Sequence, residues 1–137
     1  MSGSASNYAE NKLLDHLTGK TAFAKPTVHI GLCTADPTDA GTGASCNECP
    51  DSGYYARVAT DGDDWDAAAA GATANAEIIT FPEATGSWGE ATHFALFDSG
   101  THGAGNMLAH ASLGVSKTIT TGDTPKFAVG ELDITMD

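Results

Sequence analysis

The groups in this chain best suited to chemistry are its thiols and its carboxylates. Cysteines stand at positions 33, 46 and 49. Cys46-Asn47-Glu48-Cys49 has the spacing used by dithiol redox centres and by zinc sites. A redox centre wants such a pair at a helix N-terminus after a strand, where the thiolate is stabilised. Here the pair lies between Gly43 and Gly53 and runs straight into Pro50, which reads as a loop. A structural zinc wants four ligands. Cys33 and one histidine complete that set only if folding brings them in. Three cysteines do not make a closed disulfide framework. Plain loop thiols are favoured, ahead of a local disulfide at Cys46 and Cys49, with metal last.

The acidic run Asp61-Gly62-Asp63-Asp64-Trp65-Asp66 suggests calcium at first sight. An EF-hand loop needs glycine at its sixth position and glutamate at its twelfth. Counted from Asp61 those places hold Asp66 and Ala72, so a solvated acidic loop is the better reading. The histidines at 16, 29, 93, 102 and 110 show no ligand spacing. His93 and His110 fall on strands that can pair, and a polar strand face accounts for them. There is no Gly-x-Ser-x-Gly elbow and no phosphate-cradling glycine loop. Residues 100–105 are glycine-rich, but no helix follows to offer its amides. Nothing brings Glu83 and Glu90 together. No catalytic residue, metal or cofactor is nominated, and the chain does not read as an enzyme.

Binding is the other route to function. Tyr54, Tyr55 and Trp65 flank loops, and Trp88 sits in a glycine-rich turn. Aromatic anchors are enriched at interfaces, although core packing is the commoner role for any one of them. With Tyr8, Leu13, Leu14 and Leu17 from the first helix, they form the candidate interface set.

Composition narrows the partners. Six basic residues face 18 acidic ones, a net charge of −12. Nucleic-acid binding needs cations that displace counterions from phosphate, so nucleic acid and anionic membrane are set aside. Charge of this size favours solubility and discourages non-specific association. Hydrophobic residues make up 41%, and no apolar run approaches the ~20 residues of a spanning helix. The first nine residues do not resemble a signal peptide. The 137 residues fit one domain, read as an N-terminal arm and helix over 1–20 and a β-domain over 21–137.

The elements follow from spacing. Ala9, Leu13 and Leu17, with Leu14 beside them, predict a helix over residues 7–18. Asn7 and Glu10 offer a capping box and Gly19 a stop. Strands are predicted over 27–33, 54–60, 76–81, 91–97, 106–113 and 115–121. Residues 36–53 read as one long exposed loop and 61–75 as a loop, with a possible helical turn at 67–70. In the last strand Phe127 and Val129 share one parity, while Leu132, Ile134 and Met136 share the other. That switch predicts a bulge or a change of pairing at Gly130. The fold class is all-β, a β-sandwich or small barrel of about seven to eight strands with one N-terminal α-helix.

Many short pieces of the chain resemble one family. They include Tyr8-Ala9-Glu10-Asn11-Lys12-Leu13-Leu14-Asp15-His16, Pro26 to Leu32 with Thr34 to Pro37, and Gly53-Tyr54-Tyr55-Ala56-Arg57-Val58. Ile79 to Thr85, Trp88-Gly89, Thr92-His93-Phe94-Ala95-Leu96-Phe97-Asp98, Leu108 to His110 and Lys117 to Ile119 continue the pattern. Gly122 to Thr124 and Leu132 to Ile134 complete it. In this order they resemble small structural proteins of tailed-phage virions, described as virion structural, tail-fibre-like or minor tail proteins. The Cys46 to Cys49 loop departs from that pattern. The resemblance implies a virion location and partners within the particle. The first expectation is a capsid decoration (cement) protein that binds the major capsid protein and itself, as dimer or trimer, on the outside of the head. Residues 1–18 and 36–53 would make the contacts. The alternative is a tail or tail-fibre component whose loop 98–106 touches the host. A metal-dependent lectin or enzyme is the third.

Overall fold

A computed structural model describes residues 2–136. Helix α1 (Asn7–Leu17) lies where the apolar spacing puts it. Its cap is Ser6 and not Asn7, because the Ser6 hydroxyl accepts from the Ala9 amide at 3.2 Å. The same hydroxyl donates to the Met107 carbonyl. It thus satisfies an orphan amide of the first turn and ties the helix start to the sheet. Beyond that turn the helix parts from the sheet. Ala9 is buried and Leu13 half-buried, while Leu14 and Leu17 are 58% and 78% exposed.

The strands are β1 (Ser2–Ala5), β2 (His29–Cys33), β3 (Val58–Ala59), β4 (Ala72–Ala74), β5 (Ile79–Thr80), β6 (Gly89–Phe97), β7 (Met107–Ile119), β8 (Lys126–Phe127) and β9 (Asp133–Thr135). Seven of them form one sheet in the order β3-β2-β6-β7-β1-β9-β4, curled into a half-barrel, and β5 pairs with β8 as a separate ribbon. This is the small β fold with one N-terminal helix that the strand pattern called for. β1 is an addition. The segment expected as an arm sits inside the sheet, antiparallel to β7 and parallel to β9.

Side chains alternate across β2 and β6, as strand geometry requires. Ile30, Leu32, Phe94 and Leu96 enter the main core with Phe81, Trp88 and Phe127. Phe94 and Phe127 meet edge to face at 5.9 Å. Cys33, Ala95 and Phe97 enter a second buried cluster with Cys46 and Met107. This half of the sheet is therefore covered on both faces.

Several expectations are corrected. Residues 36–53 are not one exposed loop. Pro37, Gly41, Gly43, Cys46 and Cys49 are buried. A polar segment can be buried when its backbone groups find partners. Here the Thr34 amide donates to the Asn47 carbonyl at 2.8 Å and the Cys49 amide to the Leu32 carbonyl at 2.9 Å. The strand expected over 54–60 shrinks to Val58–Ala59, because Gly53 and Tyr54 turn the chain at φ 60° and 67°. No helical turn forms at 67–70. Ala70 and Gly71, at φ 53° and 76°, reverse the chain so that Ala69 bridges to Ala72. The strands expected over 106–113 and 115–121 are one continuous β7. Gly114 does not end it. Instead the β6–β7 register slips, from Ala91 opposite Lys117 to His93 opposite Ser112. The surplus residues of β7 bulge outward there, leaving Val115 75% exposed. Across Gly130, at φ 82°, the pairing does change: β8 bonds to β5, and β9 to β1 and β4.

Candidate functional site

The densest polar chemistry lies where residues 36–53 meet the β6–β7 connection, over the second face of the sheet. Its centre is Arg57, the sole arginine of the sequence, whose side chain is fully buried. Nε donates to Glu48 Oε2 at 2.8 Å, and Nη2 donates to Glu48 Oε1 at 2.8 Å and to the Gly43 carbonyl at 3.2 Å. Nη1 donates to the Ser99 and Ala104 carbonyls at 2.8 and 2.9 Å. The guanidinium carbon lies 3.7 Å from the centroid of the Phe97 ring. All five N–H groups are used in the forked geometry that guanidinium favours. Nothing is left to offer a ligand.

Glu48 is equally committed. Its side chain is 4% exposed. Oε2 also accepts from the Tyr55 hydroxyl at 2.7 Å, and that hydroxyl accepts from the Leu32 amide at 3.0 Å. Burial works against the charge on Glu48, but the bonds from Arg57 and Tyr55 outweigh it and hold the carboxyl below its ordinary range. Burial, with the Glu48 charge beside it, pushes the Tyr55 hydroxyl well up, so it stays a donor. His102 stands at the rim. Its Nε2 bonds the Cys49 carbonyl at 2.8 Å and lies 3.9 Å from Glu48 Oε1, so the carbonyl is the true partner and the carboxylate a neighbour.

The geometry is that of a clasp. One cation gathers residues 43, 48, 99 and 104 onto the sheet, and Gly43 makes this possible. A Cβ there would run into the Ala104 carbonyl. Between the clasped loops lies a cleft of about 580 Å³, lined by Asp36, Thr38, Cys46, Asn47, Glu48 and His102 among others.

The candidate residues separate under this geometry. Trp88 and Tyr55, 0% and 4% exposed, belong to the core. Their rings meet edge to face at 5.2 Å, and Trp88 Nε1 donates to the Gly53 carbonyl at 2.7 Å. Trp65 is half-buried, its Nε1 bonded to Thr60 Oγ1 at 3.0 Å. Tyr8 is half-buried against Phe23. Leu14, Leu17 and Tyr54, the last 70% exposed, remain open to a partner. Cys46 and Cys49 face different clusters and are not bonded to each other. The acidic run forms a 3-10 turn (Gly62–Asp64) in which Asp61 and Asp64 cap each other's backbone amides. His93 and His110 are diagonal neighbours across β6 and β7 but bond different partners. His93 bonds Thr92 and His110 bonds Asp39, both at 2.8 Å. The Arg57–Glu48 pair escaped sequence reasoning. The one signal was that a single arginine stood in a strongly acidic chain.

The family of podophage GP4 fiber I protein gp80 matches residues 4–135. The chain belongs to this family. No curated protein matches. As a gp80 fibre-family member, the chain is a structural protein of a phage virion. The family is one of fibre proteins, so it favours the tail alternative over capsid decoration, which had been the first expectation.

Proposed function

We propose that this chain is a tail-fibre component that acts by protein–protein contact within the fibre and carries out no catalysis. The observation that carries this reading is the fibre-family match along nearly all of the chain. The geometry agrees with it. The most elaborate polar cluster spends every donor on its own loops, as a part built for shape would. The open residues Leu14, Leu17 and Tyr54 are the contact candidates toward other virion chains, with the half-buried Tyr8, Leu13 and Trp65 as lesser ones. The clasped loops 36–53 and 98–105 form a stiff platform suited to recognition.

Immunogold labelling of intact particles tests this. Label confined to the tail region supports the reading. Label spread evenly over the head would overturn it in favour of capsid decoration.

A further inference from the structure

We propose that Cys33 and Cys46 join as an intrachain disulfide once the protein meets an oxidising medium, pinning the 36–53 segment to β2. The two side chains are 0% and 2% exposed and share one cluster with Ala95, Phe97 and Met107. Cys33 bridges to Glu48 in antiparallel register, which sets Cys46, two residues along, on the same face. The Cys46 thiol donates to the Gly43 carbonyl at 3.7 Å. Main-chain bonds fix the register around them, from Thr34 to Asn47 and from Cys49 to Leu32. Cys49, the other half of the Cys-x-x-Cys motif, is committed to the main core. The bond therefore runs across the segment and not within the motif.

Reactivity singles out Cys46. The hydrogen bond from Cys33 outweighs burial and brings its thiol below the ordinary value. The same bond and burial push Cys33 up, and burial pushes Cys49 up to about 12. Cys46 also lines the cleft between the clasped loops, and since it is 2% exposed an oxidant reaches it from that side when the loops part. That oxidant is a low-molecular-weight disulfide of the glutathione class. The Cys46 thiolate attacks one of its sulfurs, forms a mixed disulfide and releases one thiolate. The leaving thiolate takes the Cys33 proton. Cys33 then attacks the Cys46 sulfur and expels the second thiol. Two protein thiols lose two electrons and two protons, and the oxidant gains both as two free thiols. Host cytoplasm keeps thiols reduced and the exterior does not, so the bond would form on released particles, wherever in the virion the chain sits.

The test uses full-length protein, wild type and Cys49→Ser, incubated with oxidised glutathione, then unfolded, alkylated and mapped by mass spectrometry. The expected product has lost two hydrogens and yields a Cys33–Cys46 peptide. Its melting midpoint rises by roughly 10 °C and falls back on reduction. Cys33→Ser and Cys46→Ser show no such rise. Free alkylation of both thiols, arrest at a mixed disulfide, or a link through Cys49 or between chains would overturn the proposal. Mapping of the wild type alone decides the matter if the Cys49→Ser variant does not fold.

Discussion

Arg57 and Glu48 meet through two parallel bonds of 2.8 Å, with both side chains almost wholly out of water. Such a pair is a weak source of net stability, because desolvation offsets attraction, yet breaking it strands a buried charge. Replacing Arg57 by Met should cost roughly 3–5 kcal/mol. The Glu48→Gln/Arg57→Met double variant should cost clearly less than the two single changes added together. Chemical denaturation of the four proteins checks this, and simple additivity would contradict the clasp.

Acid should loosen the same clasp. The carboxyl of Glu48 is depressed in the folded state, so the unfolded chain takes up its proton first as pH falls. Its stabilising contribution is complete above the ordinary carboxylate value, about 4.3, and is lost as pH falls through the lower folded value. Wild type should therefore keep its full advantage over Glu48→Gln above about pH 4.3 and lose it progressively as pH falls below that. Comparing the two across that range cancels the titration of the other carboxylates. A constant difference would refute the assignment.

Asn75 is a second buried hub, 0% exposed. Its Oδ1 accepts from the Leu132 amide at 2.9 Å, and its Nδ2 donates to the Glu77 and Ala128 carbonyls at 2.8 and 2.9 Å. Asn75→Ala should cost roughly 2–3 kcal/mol by orphaning those groups. Hydrogen exchange should rise at Leu132 before it rises in β6. Uniform loss of protection would argue against a local role.

Gly43 sits where a Cβ would strike the Ala104 carbonyl. Gly43→Ala should part the two loops and weaken the bonds that Arg57 makes to residues 43 and 104. The expected cost is about 2 kcal/mol or more. Proteolysis should begin within residues 98–105 at protease levels that leave wild type intact.

Leu14 and Leu17 face solvent. Leu14→Glu with Leu17→Lys should change stability by less than about 0.5 kcal/mol while lowering incorporation into particles. Quantitative mass spectrometry of virions grown with the variant reads this out. Normal incorporation would remove the α1 face from the contact candidates.

The fold was readable to the extent that local rules governed it. The leucine spacing located α1, and the parity switch at Gly130 located the exchange of partners between β8 and β9. Reading failed where long-range pairing overrode local signals. Glycine and proline marked 36–53 as loop, which it is. They said nothing of its burial, which depends on backbone bonds to Leu32 and Thr34 and on the side chain of Arg57. Gly114 looked like a break but lies within β7, because a slipped register absorbs it. Trp88 and Tyr55 enter the candidate interface set because their neighbours are turn residues, although core packing is the commoner role for either. Only the tertiary fold shows them packed on each other. The Cys-x-x-Cys spacing forms no paired unit for a related reason: its two halves serve different clusters.

Ser2 lies beside Asp133 in the register of β1 and β9, and β1 bonds to β7 on its other side. The sheet is therefore completed by its first and last segments together. A nascent chain cannot close it until β9 has been made. Until β9 is made, β1 presents an unshielded edge, the kind of surface that invites pairing with the wrong chain. Completion of the sheet is then a slow event set by contacts of very long sequence separation. Crowded synthesis late in infection would make this protein depend on chaperones more than its size suggests.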